Sequence, residues 1–448
     1  MDNELNTSFC AATIDPEPAD GSYFVSAYPP FQYWNELAVP QTLEMLATPL
    51  ATEQHAPLGI YVHVPFCAKR CDYCYYRSFA GSTSDEKDAY VDAVIEEAKA
   101  YRRSLALRDR PVSFLYFGGG TPSLLTERQI AKLLRGLQEV FPWDKVEEVT
   151  FECAPKTVSL AKLRTLRQLG VTRLSMGVQH LDNEVLERNG RMHLVQDVEK
   201  AYAQVQEVGF DVVNLDLIVG LVGETEATFL GSVERCIELS PACVTIYQLE
   251  IPHNTPLYRA LTVAELPSVT PPWAIKRQRL TSGFALLEQA GYSLRSAYTA
   301  VRDPTLHRFV YQDAQYHGAD LLGLGLSSFS YIRGVHFQNS TRMDAYLERV
   351  AQAEFPISRA YLLSREEQMV REIVLQLKLG GASREYFLDK FGVDVVVRFA
   401  PQLKSFQAER LLDFNAEGIQ LTRAGLLRAD RLITAFYATQ PSPEHLSE

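Results

Sequence analysis

Short apolar runs recur along the chain: LGIYVHV (58–64), VSFLYFGGGTPS (112–123), EEVTFECAP, RLSMGVQ, DVVNLDLIVGL and CVTIYQLEI. Their length and residue types predict strands. Between them lie longer stretches with apolar residues at helical spacing, among them SDEKDAYVDAVIEEAKAYRRSLAL (84–107) and TERQIAKLLRGLQEVF. Ser84 with Lys87 gives the first of these a weak cap. Six strands alternating with helices imply parallel β/α units with right-handed crossovers. Six units fall short of the eight of a closed barrel. The pattern therefore predicts an α/β fold, a partial (β/α)6 TIM-like barrel over residues 58–256. Its functional loops are expected at the C-terminal ends of the strands.

After residue 256 the rhythm changes. PSVTPPW is a proline-rich break, and ADLLGLGLSSFSYI is a glycine-punctuated segment expected to close over the barrel mouth. SREEQMVREIVLQLKLG and LTRAGLLRADRLITAFY read as helices. The expected organisation is an N-terminal arm (1–56), a core barrel (57–290) and a mainly helical C-terminal domain (291–448).

At 448 residues, 46% hydrophobic, the chain has capacity for a large core. A net charge of −11 disfavours a nucleic-acid binder. No apolar run reaches the length of a membrane span, and MDNELNTSFC lacks the pattern of a secretory signal. The expectation is a cytoplasmic monomer acting on a small molecule, with neither membrane nor nucleic acid as partner.

Three of the seven cysteines, Cys67, Cys71 and Cys74, fall in the loop after the first strand with the spacing C-x3-C-x2-C. Three thiolates so close can converge on a soft metal centre. A closed zinc site needs a fourth ligand, for which His63 is the candidate. With no fourth ligand adjacent, a [4Fe–4S] cluster with one iron left open fits better, and three buried thiols are the remaining reading. Cys10, Cys153, Cys236 and Cys243 are isolated and read as small core hydrophobes. Gly118-Gly119-Gly120-Thr121-Pro122 follows the second strand, where glycines let backbone approach a ligand or simply make a tight turn. Glu152, Gln179, Arg191 and Asp216 sit at or beyond successive strand ends. Asp216 is an acid in an apolar strand and needs partners, which ribose hydroxyls or an internal ion pair would supply. Tyr73 is placed to pack on an adenine, with Tyr75 and Tyr76 as shields. His63, His180 and His253 are candidates for proton transfer.

At these residues the chain resembles the radical S-adenosylmethionine (radical SAM) superfamily, and within it the oxygen-independent coproporphyrinogen III oxidase family. YVHVPFC, GGGTPS, RLSMGVQ, NLDLIVGL and ADLLGLGLSSFSYI look like that family's segments, in order, from about Tyr23 to Tyr437. The resemblance implies a [4Fe–4S] cluster on Cys67, Cys71 and Cys74 and two S-adenosylmethionine molecules. Tyr61, Gly119, Glu152 and Phe329 match contacts of the first. Tyr73, Gly120, Thr121, Gln179, Arg191, Asp216 and Glu250 match the surroundings of the second. Tyr61 and Glu250 are the candidate catalytic residues, and an electron donor such as flavodoxin or ferredoxin is the implied partner.

Three departures stand out. The cluster loop continues Cys-Tyr-Tyr-Arg (74–77) where the oxidases have C-G-C-N-K. Phe24 stands where they carry an arginine for substrate propionates. Glu250 adds negative charge where they have a small neutral residue. On these grounds the expected reaction is carbon methylation or methylene transfer to an sp2 carbon. Porphyrinogen oxidation or a haem-trafficking role is the alternative.

Overall fold

The computed structural model describes residues 28–49, 56–252, 255–263 and 270–437. Strands β1 (Leu58–Val64), β2 (Val112–Gly119), β3 (Glu148–Cys153), β4 (Arg173–Gln179), β5 (Val212–Val219) and β6 (Cys243–Gln248) stand side by side and parallel. The crossovers carry helices α1 (Ser84–Arg103), α2 (Glu127–Val140), α3 (Leu160–Gln168), α4 (Val195–Val208) and α5 (Glu226–Leu239). In β1, Leu58, Ile60, Val62 and Val64 are at most 1% exposed and join the core under the helices. Gly59, Tyr61 and His63 alternate to the opposite, inner face. Ile130, Leu133, Leu134 and Leu137 form the matching buried stripe of α2, each side chain worth about 1.5–3 kcal/mol. The true cap of α1 is Thr83, one residue before the expected Ser84, in a reciprocal capping box with Glu86.

The sheet does not end with these six strands. β7 (Ser293–Leu294) and β8 (Thr299–Val301) extend it antiparallel beyond β6. On the other side β9 (Asp320–Leu324) pairs parallel with β1, Leu58 opposite Asp320 and Val62 opposite Leu324. β10 (Phe329–Ile332), β11 (Val335–Asn339) and β12 (Ile357–Leu362) continue antiparallel. The twelve strands run β12-β11-β10-β9-β1-β2-β3-β4-β5-β6-β8-β7. The glycine-punctuated segment thus lengthens the barrel wall instead of covering the mouth. Its glycines serve close packing: a Cβ on Gly323 would lie 2.4 Å from the Phe329 carbonyl oxygen. The extension is locked by buried Glu97 of α1, which accepts from Gly325 N–H (2.7 Å), Asn339 Nδ2 (2.6 Å) and Tyr346 O–H (2.7 Å). The buried Arg110–Asp320 pair (2.7 Å) fixes the start of β9.

Helix α6 (Trp273–Gln289) packs on α5, and the short α7 (Val310–Tyr316) packs inside the barrel against β2, with Tyr311 over Phe114 and Tyr116. The helical C-terminal region opens with α8 (Arg365–Leu377), capped by Ser364 and Glu367, and has its own apolar core from Met369 to Phe436. A three-stranded sheet (381–383, 412–414, 418–421) lies within it. α8 spans the gap between the two flanks of the sheet. Arg371 lies on Tyr331 of β10, while the Lys378 carbonyl accepts from Ala297 N–H between β7 and β8 (2.8 Å). No helix among the described residues is long and apolar enough to cross a membrane.

Candidate functional site

The cysteine loop leaves β1 at Pro65 and is held by its own backbone. Phe79 N–H donates to the Pro65 carbonyl (2.7 Å), and Arg70 donates twice to the Cys74 carbonyl (3.0 and 2.7 Å). The three thiols are half-buried and electrostatically coupled, and burial pushes those of Cys67 and Cys74 up. Thr121 Oγ1 lies 3.6 Å from Cys67 Sγ, and Arg191 Nη1 lies 3.1 Å from Cys71 Sγ. A half-buried guanidinium against this loop is the partner that anionic sulfur requires. His63 is not a fourth ligand. Its Nε2 donates to the Arg77 carbonyl (3.1 Å), which leaves Nδ1 to accept from Tyr61 O–H (3.3 Å), and burial lowers its pKa to about 4. Among the described residues no three Cys, His, Asp or Glu side chains close on a single ion.

The glycine turn fits against the loop. Gly120 N–H donates to the Val64 carbonyl (2.9 Å) and Thr121 N–H to the Phe66 carbonyl (2.8 Å). A Cβ on Gly120 would meet Phe66 O at 2.8 Å and Val64 O at 2.9 Å; on Gly119, at φ +111°, it would meet the His63 ring at 2.5 Å. With these N–H groups engaged, what the turn offers a ligand is acceptors, which suit an ammonium.

The inner face of the sheet assembles the rest. Glu152 accepts from Tyr116 O–H (2.7 Å) and Gly119 N–H (3.2 Å), and burial raises its pKa to about 7. Asp216, raised to about 6 by burial, accepts from Ser175 Oγ and Asn214 Nδ2, both at 2.8 Å. Its partners are therefore protein groups rather than an ion pair. Gln179 ends β4 with φ +69°, a left-handed conformation uncommon outside glycine. Arg191 reaches back to the Gly177 carbonyl (2.6 Å). Phe329 stacks on Phe31 (4.8 Å between centroids) beside Gly323, the residue opposite Tyr61. Tyr73 packs its ring beside Val185, Leu221 and Leu257, and its buried hydroxyl has no hydrogen-bond partner. Glu250, just after β6, lies in electrostatic reach of Tyr75, Lys276 and Lys378.

Tyr76 and Tyr247 keep 42% and 47% of their surface accessible although protein surrounds both rings, and Phe329 keeps 37%. Accessible surface so deep inside belongs to an internal lumen, lined by these rings, Glu152 and Asp216. Tyr116, Tyr247 and Tyr311 were missed by the sequence reading. The alternation within VSFLYFGG was the signal for Tyr116. His180 is a core residue, its Nδ1 bonded to Ser232 Oγ (3.2 Å). Cys10, Phe24 and His253 lie outside the described residues.

Residues 61–236 match the Radical SAM superfamily model, and residues 363–428 match the HemN C-terminal domain. The oxygen-independent coproporphyrinogen III oxidase of Escherichia coli K12 is 31% identical over 403 residues, 85% of each chain. The heme chaperone HemW of Bacillus subtilis is 28% identical, over 84% of this chain and 98% of its own. The solved structure of coproporphyrinogen III oxidase (HemN) from E. coli, a radical SAM enzyme, superposes with a TM-score of 0.78 at 27% identity, covering 92% of this chain and 96% of that one. These relatives match both the barrel and the C-terminal region, and they overturn the expected methyl or methylene transfer. Departures at a few positions weigh less than likeness along the whole fold.

Proposed function

Because the chain belongs to the oxygen-independent coproporphyrinogen III oxidase family of radical SAM enzymes, we propose that it removes CO2 oxidatively from propionate side chains of a porphyrinogen. The observation that carries this reading is the joint likeness of barrel, C-terminal region and chain order to the solved oxidase. A [4Fe–4S] cluster and S-adenosylmethionine are the family's cofactors. When bound, they supply an electron and a carbon radical able to take hydrogen from an unactivated carbon.

The residues fit that chemistry. Cys67, Cys71 and Cys74 would hold three irons, and Arg191 offsets their charge. The turn at Gly119–Thr121 would orient the ammonium of the cofactor's methionine, and Glu152 and Asp216 would accept from ribose hydroxyls. Tyr61 and Phe329 flank the first cofactor molecule in this reading; Tyr73, Gln179 and Glu250 lie toward the second. The tyrosine-walled lumen would seat the propionate while it loses a hydrogen atom, CO2 and one electron to an external acceptor. His63, neutral and fully engaged, positions Tyr61 instead of transferring protons.

The test is anaerobic incubation of the reconstituted protein with coproporphyrinogen III, S-adenosylmethionine and a low-potential reductant. Protoporphyrinogen and 5′-deoxyadenosine are expected together. Haem binding with 5′-deoxyadenosine but no vinyl product would favour the haem-carrying role of the Bacillus relative.

A further inference from the structure

Helix α8 carries two cations where a structural role gives them little to do. Arg371 is 3% exposed, its Nε and Nη1 are buried with no hydrogen-bond partner, and it forms no ion pair among the described residues. Lys378, two turns further on, is 4% exposed and forms no direct ion pair among the described residues, with Asp430 and Glu250 acting on it only electrostatically. Both lie against aromatic side chains that neighbour the rings of the lumen. The Arg371 guanidinium lies 3.8 Å from the centroid of Tyr331, two residues along β10 from Phe329. It also acts electrostatically on Tyr316, which in turn acts on Tyr247, Tyr298 and Tyr311. Lys378 Nζ lies 5.4 Å from the ring of Tyr298, which stacks on Tyr247 at 6.0 Å. Burying an unpaired charge is costly, and contact with a ring face repays only part of that cost. Helix geometry puts the two positions on one face, about 10 Å apart along the axis.

We propose that Arg371 and Lys378 form a two-point receptor for substrate carboxylates, holding two acid groups of one molecule so that a third side chain projects toward Tyr61. This rests on the porphyrinogen reading, which supplies a substrate with several propionates. Burial also lowers the Lys378 ammonium to about 7, and an arriving carboxylate would restore its charge.

The experiment titrates the reconstituted full chain with coproporphyrin III, read by porphyrin fluorescence, beside R371Q, K378Q and the conservative R371K and K378R. The glutamine variants are expected to bind about tenfold more weakly or worse, and the conservative ones to retain most affinity. Coproporphyrin tetramethyl ester should bind the wild type as weakly as the free acid binds a variant carrying both R371Q and K378Q. Melting temperatures should stay level or rise, because the cost of burying the charge is removed and only a ring contact is lost. Equal binding by wild type and glutamine variants overturns the receptor and leaves the reaction standing. A drop of several degrees in both R371Q and R371K marks a structural arginine and also overturns it. A wild type that neither binds nor converts any coproporphyrin species removes the reaction reading, and the receptor with it.

Discussion

Replacing Arg191 by glutamine should lower the reduction potential of the cluster. Arg191 is half-buried, and Nη1 sits 3.1 Å from Cys71 Sγ while Nη2 is anchored on the Gly177 carbonyl at 2.6 Å. A hydrogen bond to a charged group contributes about 1.5–3 kcal/mol. Reduction adds one negative charge beside this guanidinium, so the attraction grows in the reduced state. Losing about 2 kcal/mol of that differential corresponds to about 90 mV for a one-electron couple. The assay is a redox titration followed by electron paramagnetic resonance on anaerobically reconstituted protein, with R191K as the charge-conserving control. R191Q should fall by about 90 mV and R191K by much less, with iron and sulfide content unchanged. A potential for R191Q within about 20 mV of wild type would refute the argument that this side chain sets the charge balance of the loop.

Gly120→Ala should cost about 1–3 kcal/mol of stability, because the new Cβ meets backbone at 2.8–2.9 Å on both Phe66 and Val64 and nothing flexible can yield. The apo-protein should melt lower and take up less iron and sulfide; full reconstitution would contradict this. Glu97 predicts a pH dependence. Burial raises its carboxyl from 4.5 to about 7 against three donors. The folded state therefore holds a proton that the unfolded chain releases, so the contribution is complete below about pH 4.5 and is lost as pH rises through about 7. The total is about 3 kcal/mol, on the scale of 1.4 kcal/mol for each pH unit. Urea unfolding of the apo-chain between pH 5 and 8 should show this fall in wild type and a flatter profile in E97Q; parallel profiles would exclude it.

The parallel wall and the cysteine loop were legible because their signals are local. The run LGIYVHV, the three cysteines within eight residues and the glycine turn each announce themselves inside a short window. The second flank was not, since β9 pairs with a strand more than 250 residues earlier and its buried, glycine-spaced run reads equally as a loop. The sequence shows Asp216 as an acid in need of partners; Ser175 and Asn214, which lie within the quoted strands RLSMGVQ and DVVNLDLIVGL, supply them. The reaction was misjudged for a related reason. Phe24 was weighed as the loss of an arginine at one position, whereas cations for an anionic substrate can come from a helix far along the chain. Arg371 and Lys378 look like ordinary surface charges in VREIVLQLKLG until folding buries them.

That helix has a consequence of its own. Where α8 completes the circumference, main-chain ladders give way to side-chain packing. A strand in that place would fix register on both neighbours, and a residue exchanged there would disturb the whole ring. A helical clasp does not propagate such changes. In the proposed receptor, the stretch of enclosure that would touch the guest is thus also the stretch most open to evolutionary retuning, which offers a route for related chains to accept different guests on one unchanged frame.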